Sequence, residues 1–372
     1  MSKPKIKLPG LFIGLFLIFI TVLRFWKAVD WFSFNFDEEY QAFLAWSQVQ
    51  NFHPIWIGVS AGNTGFYLGP GFTYLNALLF KISNGDPTSL AIFSPLLGIA
   101  TILSIFYVVK KIFSSKAAVF SSLLYAISPL LNFYDRRFWN PSFIPFLTVW
   151  LLFSLYKTKN NPRWFILTSA IMATALHVHL SLLIFWPIIL FLVIRYIKKI
   201  DWKTWVLSIL SYFAIISPLV VYDLVHNFDN LLTPIRMLSA QETAHTINQL
   251  PTHLIALWNS LSRFWYLQPH TTIQSEMGFP VSGSPTPSIF ILSIFSLAII
   301  ILLFFKAKKD KKYILLFSMA IIPLLGFILF PGYVLEYYLL SFFTLLSISA
   351  GLLLSDSNQK ISWLIIIIFC TF

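Results

Sequence analysis

Apolar runs recur along almost the whole chain, near residues 8–26, 89–109, 117–133, 142–156, 164–180, 181–196, 204–222, 289–305, 313–330 and 338–354, with a last one from Ile361. Short polar stretches separate them, and none carries a charged residue near its centre. A helix needs about 20 mostly apolar residues to cross a hydrocarbon core about 30 Å thick. The pattern therefore predicts an all-α polytopic membrane protein, a bundle of about 10–11 transmembrane helices. The run from Ile361 reaches only about 18 Å as a helix, so the sequence as given is expected to stop inside one.

One run is too short to cross. Pro70 to Ile82 covers only about 20 Å as a helix, with Thr73, Asn76 and Lys81 along one side and Phe72, Leu75 and Leu79 elsewhere. That suits a helix lying in the membrane interface. Charge supports the choice. If 70–82 does not cross, the loops holding Lys110, Lys111 and Lys116, then Lys157, Lys159 and Arg163, then Arg195, Lys198, Lys199 and Lys203, then Lys306 to Lys312, share a side with Lys3, Lys5 and Lys7. That side collects most of the 26 basic residues and, of the 14 acids, only Asp201, Asp310 and Asp356. The positive-inside rule then makes it cytoplasmic; a crossing at 70–82 would invert every later loop. Leu11 to Val22 follows its lysines like a signal sequence, but Arg24, Phe25, Trp26 and Lys27 stand where a cleavage site would be. It reads as an uncleaved first helix.

This topology divides the chain into a membrane core, 1–222, carrying a first outer loop at 27–88; an outer loop or lid at 223–288; and C-terminal helices at 289–372. The second outer piece ends in Gly278-Phe279-Pro280 and Ser282-Gly283-Ser284-Pro285, turn-forming stretches that suggest a mobile loop.

Composition agrees. The chain is 58% hydrophobic and 11% charged, against roughly 45–50% apolar in soluble domains. A formal charge of +12 raises nucleic acid as a partner, but its placement in cytoplasmic loops excludes that reading. The one cysteine, Cys370, forbids an internal disulfide and offers no Cys-based zinc site. Without midplane charges, an ion-coupled transporter is disfavoured.

The polar residues concentrate on the outer side. Ser33-Phe34-Asn35-Phe36-Asp37-Glu38-Glu39-Tyr40 places three consecutive carboxylates just beyond the first helix. Asn35 with Glu38 reads as a capping box, and Asp37 and Glu39 as first-turn acids favoured by the dipole. The other reading makes Asp37 or Glu38 a general base toward a hydroxyl held within hydrogen-bond reach. Arg136 and Arg137, before Trp139-Asn140-Pro141, are either anchors to lipid headgroups or a bidentate phosphate clamp; Arg263 and Lys81 are further candidates for that task. His177 and His179 are two apart, whereas a helical metal pair wants three or four, so a structural or substrate hydrogen-bonding role is preferred. Glu336 with Tyr338 reads as a helix start.

A first helix followed by an outer loop bearing Phe36-Asp37-Glu38-x-Tyr40 and a Gly-Pro-containing interfacial helix, Leu68-Gly69-Pro70-Gly71-Phe72-Thr73-Tyr74, resembles the GT-C glycosyltransferases, in particular the protein O-mannosyltransferases and the aminoarabinose transferases of lipid A. The resemblance covers most of residues 8–200. It implies transfer of a hexosyl or pentosyl group from a polyprenyl-phosphate donor to a protein, lipid or glycan hydroxyl on the outer face of the plasma (inner) membrane, with Asp37 as the catalytic carboxylate, the base toward the acceptor, and Glu38 its companion. Arg136, Arg137, Lys81, His179, Arg263 and Tyr40 would contact substrate or phosphate. Direct displacement would invert the anomeric centre. No cofactor is required by this chemistry, and a divalent metal is left open. The chain departs from the family where a second acid often precedes a proline: it has Asn140-Pro141, with Asp135 five residues earlier, which counts against a metal. The alternative is a non-enzymatic lipid-handling protein, a flippase or assembly partner.

Overall fold

The computed structural model describes residues 10–32, 34, 36–61, 65–239, 243–266, 287–330, 334–358 and 362. The proposed cap at Asn35, the stretch around Gly278 to Pro285, Cys370 and, apart from Ser362, the run from Ile361 lie outside the described residues.

Helices form where the apolar runs predict them: α1 (Gly10–Phe25), α4 (Thr88–Ile112), α5 (Ser115–Ile127), α7 (Ile144–Thr158), α8 (Trp164–Val178), α9 (Trp186–Tyr196), α10 (Trp202–Val225), α13 (Pro287–Lys309), α14 (Ile314–Ile328) and α15 (Leu340–Asp356). Among the described residues six helical runs are long and apolar enough to cross a membrane: Thr88–Ile112, Leu180–Lys199, Trp202–Val225, Phe290–Lys309, Lys311–Ile328 and Glu336–Asp356. Gly14–Phe25, Ser115–Ile127 and Trp164–Val178 are shorter apolar helices. The protein is an all-α integral membrane protein.

Starts and stops are chemically marked. Ser114 accepts from the N–H of Ala117 at 3.1 Å to open α5, and Asp201 accepts from Thr204 N–H at 2.6 Å to open α10, each satisfying a donor the first turn leaves free. Helix α15 is the hub, buried along nearly its whole length. Its Thr344 and Ser349 return their hydroxyls to the carbonyls of Leu340 and Leu345, both at 2.7 Å. Ser121 of α5 donates to Ile348 O at 3.2 Å, and Gly351 faces Ser121 so closely that a Cβ has no room. Small residues let two helices meet where no water drives them together. Helices α9 and α10 sit at the margin, with Leu190, Phe191, Leu210 and Phe213 facing outward.

One predicted run breaks. Residues 117–133 do not form one helix: α5 ends at Ser128, and Pro129 opens the short α6 (Pro129–Tyr134). Proline lacks the N–H that would continue the helix and restricts its predecessor to extended backbone, and Ser128 has φ −60° and ψ 120°. Its hydroxyl donates to Phe264 O at 2.8 Å. The break carries Asp135, Arg136 and Arg137 back over the bundle.

Beyond the apolar helices lie α2 (Phe36–Gln50) and α3 (Gly71–Ser83), packed on each other, and α11 (Asp229–Ser239) and α12 (Thr243–Arg263). The 13-residue α3 has the length expected of the interfacial helix, but its polar residues divide. Thr73 and Asn76 face inward with Phe72 and Phe80, whereas Lys81 is exposed. The interval 223–288 is largely helical in its described part. The end of α12 is docked, with Leu257, Leu261, Phe264 and Trp265 buried and Trp265 Nε1 donating to Ser296 of α13 at 2.7 Å.

Candidate functional site

The first turn of α2 splits its carboxylates. Asp37 and Glu39 are exposed, while Glu38 turns inward to 1% exposure. A buried carboxylate needs a partner, and Glu38 has one in Arg137, whose Nη2 lies 2.7 Å and Nε 2.8 Å from Glu38 Oε1. Beside it, Gln41 Nε2 donates to Asn140 Oδ1 at 2.8 Å, and Thr73 Oγ1 donates to Gln41 Oε1 at 3.2 Å. Glu38, Gln41 and Ala45 thus form the inner face of α2; Phe36, Tyr40 and Phe43 form its exposed face. The structure does not bring Tyr40 to the carboxylates' partners.

The segment after α6 presents its three charges in three directions. Asp135 pairs inward with Arg24 of α1, Nε to Oδ2 at 2.9 Å, and accepts from Tyr125 OH at 3.1 Å. Arg136 turns back to α1, donating to Leu23 O at 3.3 Å with its guanidinium 4.6 Å from the Trp31 ring centre. Arg137 alone faces α2, stacked 3.8 Å over Trp139. The hydroxyls of Ser94 and Ser142 fix this geometry, reaching Asp135 O and Arg137 O at 2.7 Å each. The two arginines therefore do not form one clamp, and Asp135 is occupied as the counterion of Arg24.

An aromatic wall completes the site. Trp139 meets Tyr337 edge-on with centres 4.6 Å apart. His179, between α8 and the Leu180–Phe185 turn, packs on Tyr337 and Tyr338 at 5.4 and 5.3 Å. Asp37 and Arg137 both lie within electrostatic range of Tyr337. His179 Nδ1 accepts from Ser181 N–H at 3.1 Å, which leaves its hydrogen on Nε2. Burial holds its pKa at about 3, so it contributes a neutral donor. Behind the wall Glu336 is fully buried, accepting from Tyr134 OH at 3.1 Å and paired with Arg263. Glu336 thus opens the short helix Glu336–Leu339, as expected, and is at the same time a buried charge partner. Lys81 stands at the far end of α3 from the other candidates, about 15 Å along the helix from Gly71; Gly71 N–H donates to His177 Nδ1 at 3.0 Å.

Glu38 and Asp135 each face an arginine, as Glu336 does, which leaves Asp37 as the accessible carboxylate among these four. Among the described residues no three His, Cys, Asp or Glu side chains are grouped to hold a metal ion. Sequence reasoning missed Gln41, Trp139, Tyr337 and Arg24. Only the helical spacing of Gln41 from Glu38 carried a local signal for any of them.

Residues 68–222 match the family model described as dolichyl-phosphate-mannose-protein mannosyltransferase. A search of curated proteins gives no match. The crystal structure of ArnT from Cupriavidus metallidurans bound to undecaprenyl phosphate superposes with a TM-score of 0.63 at 13% identity, over 97% of this chain and 63% of that one. The archaeal oligosaccharyltransferase AglB from Archaeoglobus fulgidus, in complex with an inhibitory peptide and a dolichol-phosphate, superposes with a TM-score of 0.52 at 15% identity, over 93% of this chain and 51% of that one. The chain therefore spans under two thirds of either structure's length. The chain shares the fold of these two structures.

Proposed function

We propose that the chain is a glycosyltransferase that moves a sugar from a polyprenyl-phosphate donor to an acceptor hydroxyl on a protein, lipid or glycan, at the outer face of a plasma membrane. The observation that carries the reading is the division of labour at the start of α2: an exposed carboxylate, Asp37, next to a buried one, Glu38, which holds Arg137. The similarity to a protein crystallised with undecaprenyl phosphate supports a lipid-linked donor.

In this reading the acceptor oxygen attacks the anomeric carbon while Asp37 takes its proton. The bond from that carbon to the phosphate oxygen breaks, and the polyprenyl phosphate leaves with the electron pair. One displacement inverts the anomeric centre. Glu38 positions Arg137 by occupying Nε and Nη2, and Nη1 is left to face the phosphate. The His179 Nε2–H and the Tyr337 hydroxyl supply neutral donors, and charge developing on the leaving phosphate is met by groups already oriented.

The test is mass spectrometry of a panel of polyprenyl-phosphate sugars after incubation with membranes holding wild type or Asp37→Asn at matched abundance. Donor consumption by wild type alone supports both the activity and the base. Consumption by both removes Asp37 from that role. Consumption by neither, across the panel, overturns the transferase reading in favour of lipid handling. NMR of the product's anomeric configuration tests inversion.

A further inference from the structure

We propose that Arg136, Lys27 and Trp31 form a seat for the phosphate of an anionic bilayer phospholipid at the outer end of α1, distinct from the Asp37 site. Arg136 is 8% exposed, yet its Nε has no hydrogen-bond partner among the described residues. Another cation, Arg24, lies within electrostatic range of it. Arg24 is already satisfied, by Asp135 at 2.9 Å, Ala126 O at 2.8 Å and Asn132 Oδ1 at 3.0 Å. Lys27 places its Nζ 5.8 Å from the centre of the same Trp31 ring that Arg136 covers. Asp30, exposed in the same turn, pairs with neither. Three cations therefore share this corner with two carboxylates, one of them spent on Arg24. A cation held this far from water without a counterion is costly, and an anion from outside the chain removes the cost.

The surroundings select a lipid. The chain turns at Lys27, where φ is 51°, and leaves Val22, Trp26, Val29 and Trp31 all more than half exposed around the two cations. Exposed tryptophans with Lys and Arg at a helix end belong to the headgroup layer. A phosphate attached to acyl chains satisfies both the charge and the apolar flank; a free phosphate satisfies only the first.

The full chain is purified from nanodiscs containing phosphatidylglycerol or phosphatidylcholine, and retained lipid is read by native mass spectrometry. Wild type should retain phosphatidylglycerol in preference, with Arg136→Gln and the exposed-site variant Lys27→Gln each lowering retention about fivefold or more. Lys27→Gln keeps the test open if Arg136→Gln fails to fold. Equal retention of the two lipids by wild type, or unchanged retention in the variants, overturns the proposal. So does displacement by millimolar inorganic phosphate, which would mark a general phosphate site, or selective loss of polyprenyl phosphate in Arg136→Gln, which would return Arg136 to the donor site. Sugar transfer is not the readout, so the outcome is independent of the role of Asp37.

Discussion

Arg137 reaches across 99 residues of sequence to place its Nε 2.8 Å from Glu38 Oε1, while Asp37, the residue before, stays exposed. Two adjacent carboxylates thus take opposite positions, and replacing each should have a different consequence.

Asp37→Asn should reduce transfer by about 10²-fold to 10⁴-fold, the usual share of a general base, with stability within about 0.5 kcal/mol of wild type. Glu38→Ala should lower both, because removing one partner of a buried pair costs about 3–5 kcal/mol. Thermal unfolding in detergent beside a donor-consumption assay separates the two. Equal melting temperatures for both variants would contradict the buried pair.

Asp135 occupies the neighbourhood where a second acid was sought, but its geometry is that of a counterion. Asp135→Asn should destabilise by about 3–5 kcal/mol and lose activity only in proportion to lost folded protein. The double variant Arg24→Met with Asp135→Leu should recover much of that loss, since an apolar pair of similar volume replaces both charges. Specific activity per folded molecule is the deciding measurement; a fall of several hundredfold in well-folded Asp135→Asn would make this carboxylate part of the chemistry.

His179 gives an acid limit. Burial lowers its pKa from 6.5 to about 3, so the fold favours the neutral ring. Its contribution is complete above the unfolded value and is lost as pH falls from about 6.5 toward about 3, by up to about 1.4 kcal/mol per unit. Melting temperature against pH should therefore fall more steeply in wild type than in His179→Asn across that window. Parallel curves would show that the ring is not enclosed.

Gly69 and Gly71 lie against the ring of His177, and a Cβ at Gly69 would overlap it. The ring also fastens the segment before α3, bonding Gly71 N–H on one side and Ile215 O at 2.8 Å on the other. Gly69→Ala should destabilise by about 1–3 kcal/mol, as overpacking does, and His177→Ala in the same background should relieve part of the loss. A melting temperature for Gly69→Ala equal to that of wild type would show that the loop can shift freely.

The sequence by itself determined the all-helical membrane class, where most helices lie, the short α3, and the loop on which the acids cluster. Each follows from local physics: an apolar run long enough for the bilayer must be helical because its backbone has no water to bond. Pro129 inside the run 117–133 is also a local signal, since proline cannot continue a helix.

What each charge faces was decided by the tertiary structure alone. Glu38 and Asp37 look alike in sequence, as do Arg136 and Arg137, and their separation depends on α6 folding back to lay Asp135 against α1 and Arg137 against α2. Likewise Glu336 reads locally as a helix start, and becomes a buried partner only because α12 carries Arg263 beside it. A buried charge is settled by the nearest opposite charge in space, and here that charge lies on a different part of the chain, between 73 and 111 positions away.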